Sequence, residues 1–299
     1  MLTLDHLATW SFAGTALAVL GHPIAHSLSP PMHNAALTAM ARHDREFTAW
    51  RYFRFDVPPE RLGEALERLH ARGFFGLNLT VPHKVLAYAL VRQVVPEAVP
   101  LGAVNTLRRT DDGWRGHNTD GYGLATALRE ELGASLRGAH VILLGAGGAA
   151  RGAAVECLQQ GCAALWIANR TKSRLDELLA ALRPLARGVP VQGFAPDALP
   201  GELPAGALVI NATSAGLKPA DPAPIELRRL PRPSSVFDMI YNPARTPLLA
   251  QAEALGLPHA NGLAMLVHQG ARSLEIWTGA AVPAATMRAA AERALAAQP

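Results

Sequence analysis

The chain has 299 residues, with 28 Lys and Arg against 24 Asp and Glu; 49% of it is apolar and 17% charged. Such a length and apolar content suit two globular domains with sizeable cores and exclude a disordered chain. The formal charge of +4 is scattered rather than gathered among aromatics, no apolar run nears the roughly 18 residues of a membrane span, and no basic residue precedes Arg42, so nucleic-acid binding, a membrane anchor and a signal peptide all lack support and a soluble cytoplasmic protein is expected.

Residues 1–13 read as an extension with no assigned purpose. Thr15 to Leu20 is the first strand, Gly21-His22-Pro23 a turn, and Pro31 to Met40 a helix with proline near its first position. Between them, Ser27 and Ser29 stand two apart in what reads as extended chain. They then face one way and can hold a carboxylate, although a helix cap is an ordinary use of serine. Trp50 to Phe55 alternates as a strand. Pro59 to Arg72 carries Leu62, Leu66 and Leu69 among charges, an amphipathic helix ended by Gly73. Phe75 to Thr80 is a short strand with Asn78 and Thr80 on one side, and Lys84 lies at its exit, where α/β proteins place their sites. His83 reads as structural. Leu101 to Arg108 and Trp114 to His117 form a hairpin through Asp112-Gly113. The polar turns holding Asn105 and Asp120 flank it. Asn118 to Gly133 is a helix leading into the second half.

There, His140-Val-Ile-Leu-Leu-Gly-Ala-Gly-Gly-Ala-Ala-Arg151 is an apolar strand entering a glycine-dense turn that opens a helix. Gly145 permits the tight turn, Gly147 lets backbone approach a pyrophosphate, and the N–H groups of the helix start, from Gly148 to Gln160, face the phosphates. Gly161 closes that helix and Ala164 to Ala168 completes a βαβ unit. In the place of the ribose-reading residue stands Asn169-Arg170-Thr171, with no carboxylate. Arg170, helped by Arg174, offers a permanent planar charge to a 2′-phosphate, so the turn is expected to take NADP. Cys157 and Cys162, the only cysteines, lack the Cys-x-x-Cys spacing and read as core residues in a reducing compartment. Arg174 to Leu185 follows as a helix capped by Thr171 or Ser173, then strands at Val189 to Gly193, Leu208 to Asn211 and Val236 to Asp238. Proline-rich loops at 218–224 and 231–233 separate them. Helices at Ala264 to Thr278 and Pro283 to Ala297 end the chain. The alternation of α and β predicts parallel sheets with helices on both faces. No spacing of His, Cys, Asp or Glu makes a metal site.

Taken together the polar segments resemble the shikimate dehydrogenase family over most of the chain. The resemblance rests on Gly21-His-Pro-Ile-Ala-His-Ser-Leu-Ser-Pro30, Asn78-Leu-Thr-Val-Pro-His-Lys84, Gly102-Ala-Val-Asn-Thr106, Asn118-Thr-Asp-Gly121, the glycine turn, Asn169-Arg-Thr171, Asn211-Ala-Thr-Ser214, Asp238-Met-Ile-Tyr-Asn-Pro243 and Gly262-Leu-Ala-Met-Leu-Val-His-Gln269. It implies an α/β protein of two domains around a cleft. A substrate domain with a parallel-rich sheet would take residues 1–119 with 262–299, and a Rossmann-like NADP domain 120–261. It implies reduction of 3-dehydroshikimate to shikimate on the way to aromatic amino acids, by a monomer or homodimer, with Lys84 and Asp120 as the acid/base pair. Ser27, Ser29 and Tyr241 would hold the substrate carboxylate. Asn78, Thr80, Asn105 and Gln269 would complete the polar pocket. The cofactor would meet Gly145, Ala146, Gly147, Gly148, Ala149, Asn169, Arg170, Thr171, Arg174, Thr213, Met239 and Gly262. His22 and His83 depart from the residues common in the family without touching that pair. A quinate-oxidising relative and a cofactor-binding regulator without catalysis are the two rival readings.

Overall fold

The computed structural model describes residues 1–218 and 220–297. Position 219 of the expected 218–224 loop and the last two positions of the expected 262–299 segment lie outside the described residues. The strands are β1 (Thr15–Gly21), β2 (Trp50–Asp56), β3 (Gly76–Leu79), β4 (Gln93–Val94), β5 (Thr106–Thr110), β6 (Gly113–His117), β7 (His140–Leu144), β8 (Ala164–Ala168), β9 (Val191–Phe194), β10 (Leu208–Asn211), β11 (Ser235–Asp238) and β12 (His259–Asn261). The helices are α1 (Ser29–Met40), α2 (Leu62–Ala71), α3 (His83–Leu90), α4 (Asp120–Leu132), α5 (Gly148–Gln159), α6 (Lys172–Leu182), α7 (Pro247–Ala254), α8 (Leu263–Thr278) and α9 (Ala284–Ala296). Two compact units result, residues 1–119 with the chain from Val267 onward, and Asp120–Leu266. The division falls inside α8, not at residue 262. This helix is continuous with β12 through Gly262, whose N–H bonds the Ile240 carbonyl at 3.1 Å, so its first turn goes with the second unit.

The first unit is built on a six-stranded sheet in the order β2-β1-β3-β5-β6-β4. β1 runs parallel to β2 and β3, and β4 parallel to β6. β5 is antiparallel to both β3 and β6, the second pairing being the expected hairpin, so the sheet is parallel-rich but not parallel throughout. A two-residue reversal at Asp111-Asp112 leaves no length for the crossover that parallel strands require. β5 begins at Thr106 and not near Leu101, because Pro96–Leu101 coils as a 3-10 turn that Gly102 ends at φ +60°. Leu62, Ala65, Leu66 and Leu69 of α2 are buried, one face of the helix, and join Phe55, Phe74, Leu77 and Trp114 in the core.

The first residues are part of that core. Leu4 and Leu7 are 1% exposed, and Trp10 packs against Phe53 and Phe74 at 4.9 and 5.0 Å between ring centroids. Leu2 donates to the Arg54 carbonyl at 3.1 Å and accepts from the Asp56 N–H at 2.8 Å, pairing with the open edge of β2. The segment has a purpose after all: it covers apolar surface and an edge strand.

The second unit carries six parallel strands in the order β12-β11-β10-β7-β8-β9. The winding reverses between β7 and β10, which makes their carboxyl ends the switch point of a doubly wound sheet. Near-continuous apolar runs such as Val141–Leu144 and Leu208–Ile210 are fully buried, as strands covered on both faces must be. Cys157 and Cys162 are free and buried, and burial pushes the Cys157 thiol well up. No helix among the described residues is long and apolar enough to cross a membrane.

Candidate active site

In the first unit the expected polar residues gather at one edge of the sheet. β1 and β3 end there, and because β5 is antiparallel to β3 its start lies opposite that end, Asn78 facing Thr106. β6 also ends there. The segments after β1 and β3, the turn before β5 and the turn after β6 therefore meet, which brings Ser27, Ser29, Asn78, Thr80, Lys84 and Asn105 to one edge. Thr80 is half-buried, and its carbonyl accepts the His83 N–H at 2.8 Å as α3 begins. Lys84 is not at a bare strand exit but in the first turn of α3, and its carbonyl accepts the Val104 N–H at 2.9 Å. That bond ties the lysine to the Asn105 turn. His83 is structural as expected: it is fully buried, and Nε2 meets the Val57 carbonyl at 2.8 Å.

The serines are placed differently from expectation. The chain is not extended at Ser29, which is the first residue of α1 after Leu28 in helical geometry. Ser27 Oγ accepts the Ser29 N–H at 3.3 Å. A hydroxyl that closes a turn onto the backbone keeps its own proton free to donate.

A buried network backs this edge. Asn78 Nδ2 reaches the Asn105 carbonyl, Thr106 Oγ1 and Ser273 Oγ at 3.1, 3.1 and 3.0 Å. Asn105 Oδ1 accepts the Thr119 N–H at 2.9 Å, and its Nδ2 donates to Thr119 Oγ1 at 3.0 Å and Gln269 Oε1 at 3.3 Å. Ser273, one helical turn after Gln269 on α8, bonds the Gln269 carbonyl at 2.9 Å and lies 2.7 Å from Thr106 Oγ1. α8 thus brings Gln269 to the polar network that the first 119 residues build. Thr106, Thr119 and Ser273 are at most 1% exposed. Sequence reading did not assign them. The i, i+4 spacing of Gln269 and Ser273 on one helix face was the available signal.

In the second unit the expected cofactor residues follow the carboxyl ends of the parallel strands. Gly145 to Ala149 follow β7, Asn169 to Arg174 follow β8, Thr213 follows β10, Met239 follows β11 and Gly262 follows β12. Gly145 has φ +115°, and a Cβ there would press on Thr213 and the Ala212 carbonyl. Gly147 and Gly148 are exposed, and a Cβ on either would meet open space, so the start of α5 presents its N–H groups outward. Ala150, in the third glycine position, is fully buried against the sheet. Arg170 and Arg174 are exposed at the start of α6. The side chain of Thr171 does not cap that helix; Asn169 Nδ2 bonds the Thr171 carbonyl instead, at 2.8 Å, and shapes the turn.

The tips of β10 and β11 are fixed by Asp238. Its fully buried carboxylate accepts from Asn211 Nδ2, the Ile240 N–H and Thr246 Oγ1 at 2.9, 3.0 and 2.6 Å. Asn211 Oδ1 in turn accepts from the Thr213 N–H and hydroxyl. Burial raises the Asp238 carboxyl and the Tyr241 phenol above their ordinary values. Asp120 opens α4 and Tyr241 follows β11, both in this unit. Among the described residues no cluster of His, Cys, Asp and Glu is arranged for a metal.

Comparison with known proteins agrees along the chain. The family model described as shikimate dehydrogenase substrate binding domain matches residues 19–107, that of shikimate / quinate 5-dehydrogenase 127–218, and that of the shikimate 5'-dehydrogenase C-terminal domain 262–292. A relative from Geobacter sp. (strain M21), shikimate dehydrogenase (NADP(+)), is 43% identical over 285 residues covering 94% of each chain. The crystal structure of shikimate 5-dehydrogenase from Thermus thermophilus in complex with NADP(H) and shikimate superimposes with a TM-score of 0.80 at 37% identity, covering 94% of this chain and 99% of its own. A ligand-free 5-ketofructose reductase of Gluconobacter sp. strain CHM43 gives 0.80 at 33%, covering 95% and 99%. By the extent of these matches, the chain belongs to the shikimate dehydrogenase family.

Proposed function

We propose that the protein is an NADP-dependent shikimate dehydrogenase that reduces 3-dehydroshikimate to shikimate. The observation that carries this is the edge of the first unit, where hydroxyl and amide side chains from separate segments form one buried network beside the turn of α3 that bears Lys84. Every side chain there donates or accepts hydrogen bonds, which suits a small anion rich in hydroxyls and penalises a ligand lacking one. The Geobacter relative's name and the ligands of the Thermus structure point the same way.

Ser27 and Ser29, with Tyr241, bind the carboxylate. Asn78, Thr80, Asn105 and Gln269 orient the ring. When bound at the glycine turn, NADPH would supply the hydride, and Arg170 and Arg174 would hold its 2′-phosphate. As the substrate carbonyl becomes an alkoxide, Lys84 Nζ donates the proton that completes the alcohol, with Asp120 as its partner in the acid/base pair. The products are the alcohol and NADP⁺, and Lys84 regains its proton from solvent. Lys84→Ala should lower kcat by about 10²–10⁴-fold, the usual size of a lost acid/base group, with an unchanged melting temperature. A near-normal kcat contradicts the role.

The matched family model spans quinate dehydrogenases as well. Quinate differs from shikimate near the carboxylate, where this chain sets paired serines, and the family resemblance assigns that pairing to shikimate.

A further inference from the structure

Tyr52 belongs to none of the motifs above, yet it holds the first unit's polar edge in place. It lies on β2, is 2% exposed and stacks on His33 with ring centroids 4.0 Å apart and planes 14° apart. Asn34 of α1 clamps its backbone, amide to Tyr52 carbonyl and carbonyl to Tyr52 N–H, both at 2.9 Å. Fixed in this way, the phenol donates to Asn78 Oδ1 at 2.8 Å. Beneath it, His33 Nδ1 meets the Ser29 carbonyl at 2.8 Å.

The donor count of Asn78 shows what this achieves. Its amide has two N–H protons and three protein oxygens within reach of Nδ2, so both protons are spent inside the protein. The Asn105 carbonyl can only accept, and the phenol donates on the other side, so the amide has a single orientation. What is left for a ligand is the second lone pair of Oδ1, which suits a substrate hydroxyl as donor. A phenylalanine would fill the same space and stack equally on His33. The hydroxyl is the part of Tyr52 that packing does not require, and a buried hydroxyl is tolerated only when paired.

We propose that Tyr52 is a positioning residue for substrate, setting the Asn78 amide before the substrate arrives. This rests on the dehydrogenase reading above. The test is Tyr52→Phe, assayed with shikimate and NADP and paired with the same change on an Asn78→Ala background. The KM for shikimate should rise about ten-fold, the scale of one buried hydrogen bond, while kcat, NADPH affinity and melting temperature stay close to the parent. On the Asn78→Ala background the rise should shrink, since the group being oriented is gone. An unmoved KM, or the same factor on both backgrounds, overturns the proposal while leaving the dehydrogenase reading intact. A parent protein that does not oxidise shikimate brings down that reading and this proposal together.

Discussion

His33 shows how one buried side chain couples the site to pH. Burial lowers its pKa from 6.5 to about 4, so the folded protein holds it neutral between its contacts with Ser29 and Tyr52. An unfolded chain binds a proton there below pH 6.5, and the folded chain does so only near pH 4. The unfolded state therefore binds more protons in that window, and stability falls as pH drops through it, by up to about 3 kcal/mol, with no contribution above it. Urea unfolding at pH 7 and pH 5 should show the loss in the parent and a smaller one in His33→Phe, which keeps a ring against Tyr52. Identical losses in the two proteins contradict this. At the same scale, the residue types at Asn78, Asn105 and Lys84 were legible because short polar motifs survive in sequence as written. The proton ledger of Asn78 was not, since it depends on Tyr52 and Ser273 brought from distant segments.

Elements were legible in proportion to their periodicity. The α2 stripe of Leu62, Leu66 and Leu69 and the apolar runs of β7 and β10 announce themselves. The β12 strand, His-Ala-Asn, has no pattern to read and forms because it pairs with β11. Gly262, next in the chain, is required by close approach: a Cβ there would run into the Met239 carbonyl, which no local sequence reveals. The first residues are the sharpest case. Read alone they form no periodic element, yet Leu4 and Leu7 complete the core beside α2 and Leu2 covers the β2 edge. Leu7→Ala should therefore destabilise the protein by about 2–5 kcal/mol, the cost of a core truncation, seen as a lower urea midpoint with an unchanged slope. A midpoint like the parent's would show the segment to be dispensable.

Across the whole molecule, the division of labour follows from topology. The first sheet mixes strand directions so that four segments meet at one edge, and the second keeps all strands parallel so that five turns follow its carboxyl ends. The glycine turn identified the second arrangement in the sequence because its chemistry is local. The first could be read only through family resemblance, because no spacing brings Ser29, Asn105 and Gln269 together without the fold. The central claim joins substrate and cofactor, and one experiment addresses both: NADPH formation by the purified protein with shikimate or quinate, each with NADP or NAD. Turnover with shikimate and NADP well above every other pairing is the expected result. No turnover with shikimate from folded protein that binds NADPH would contradict the proposed function, and equal turnover with NAD would contradict the role given to Arg170 and Arg174.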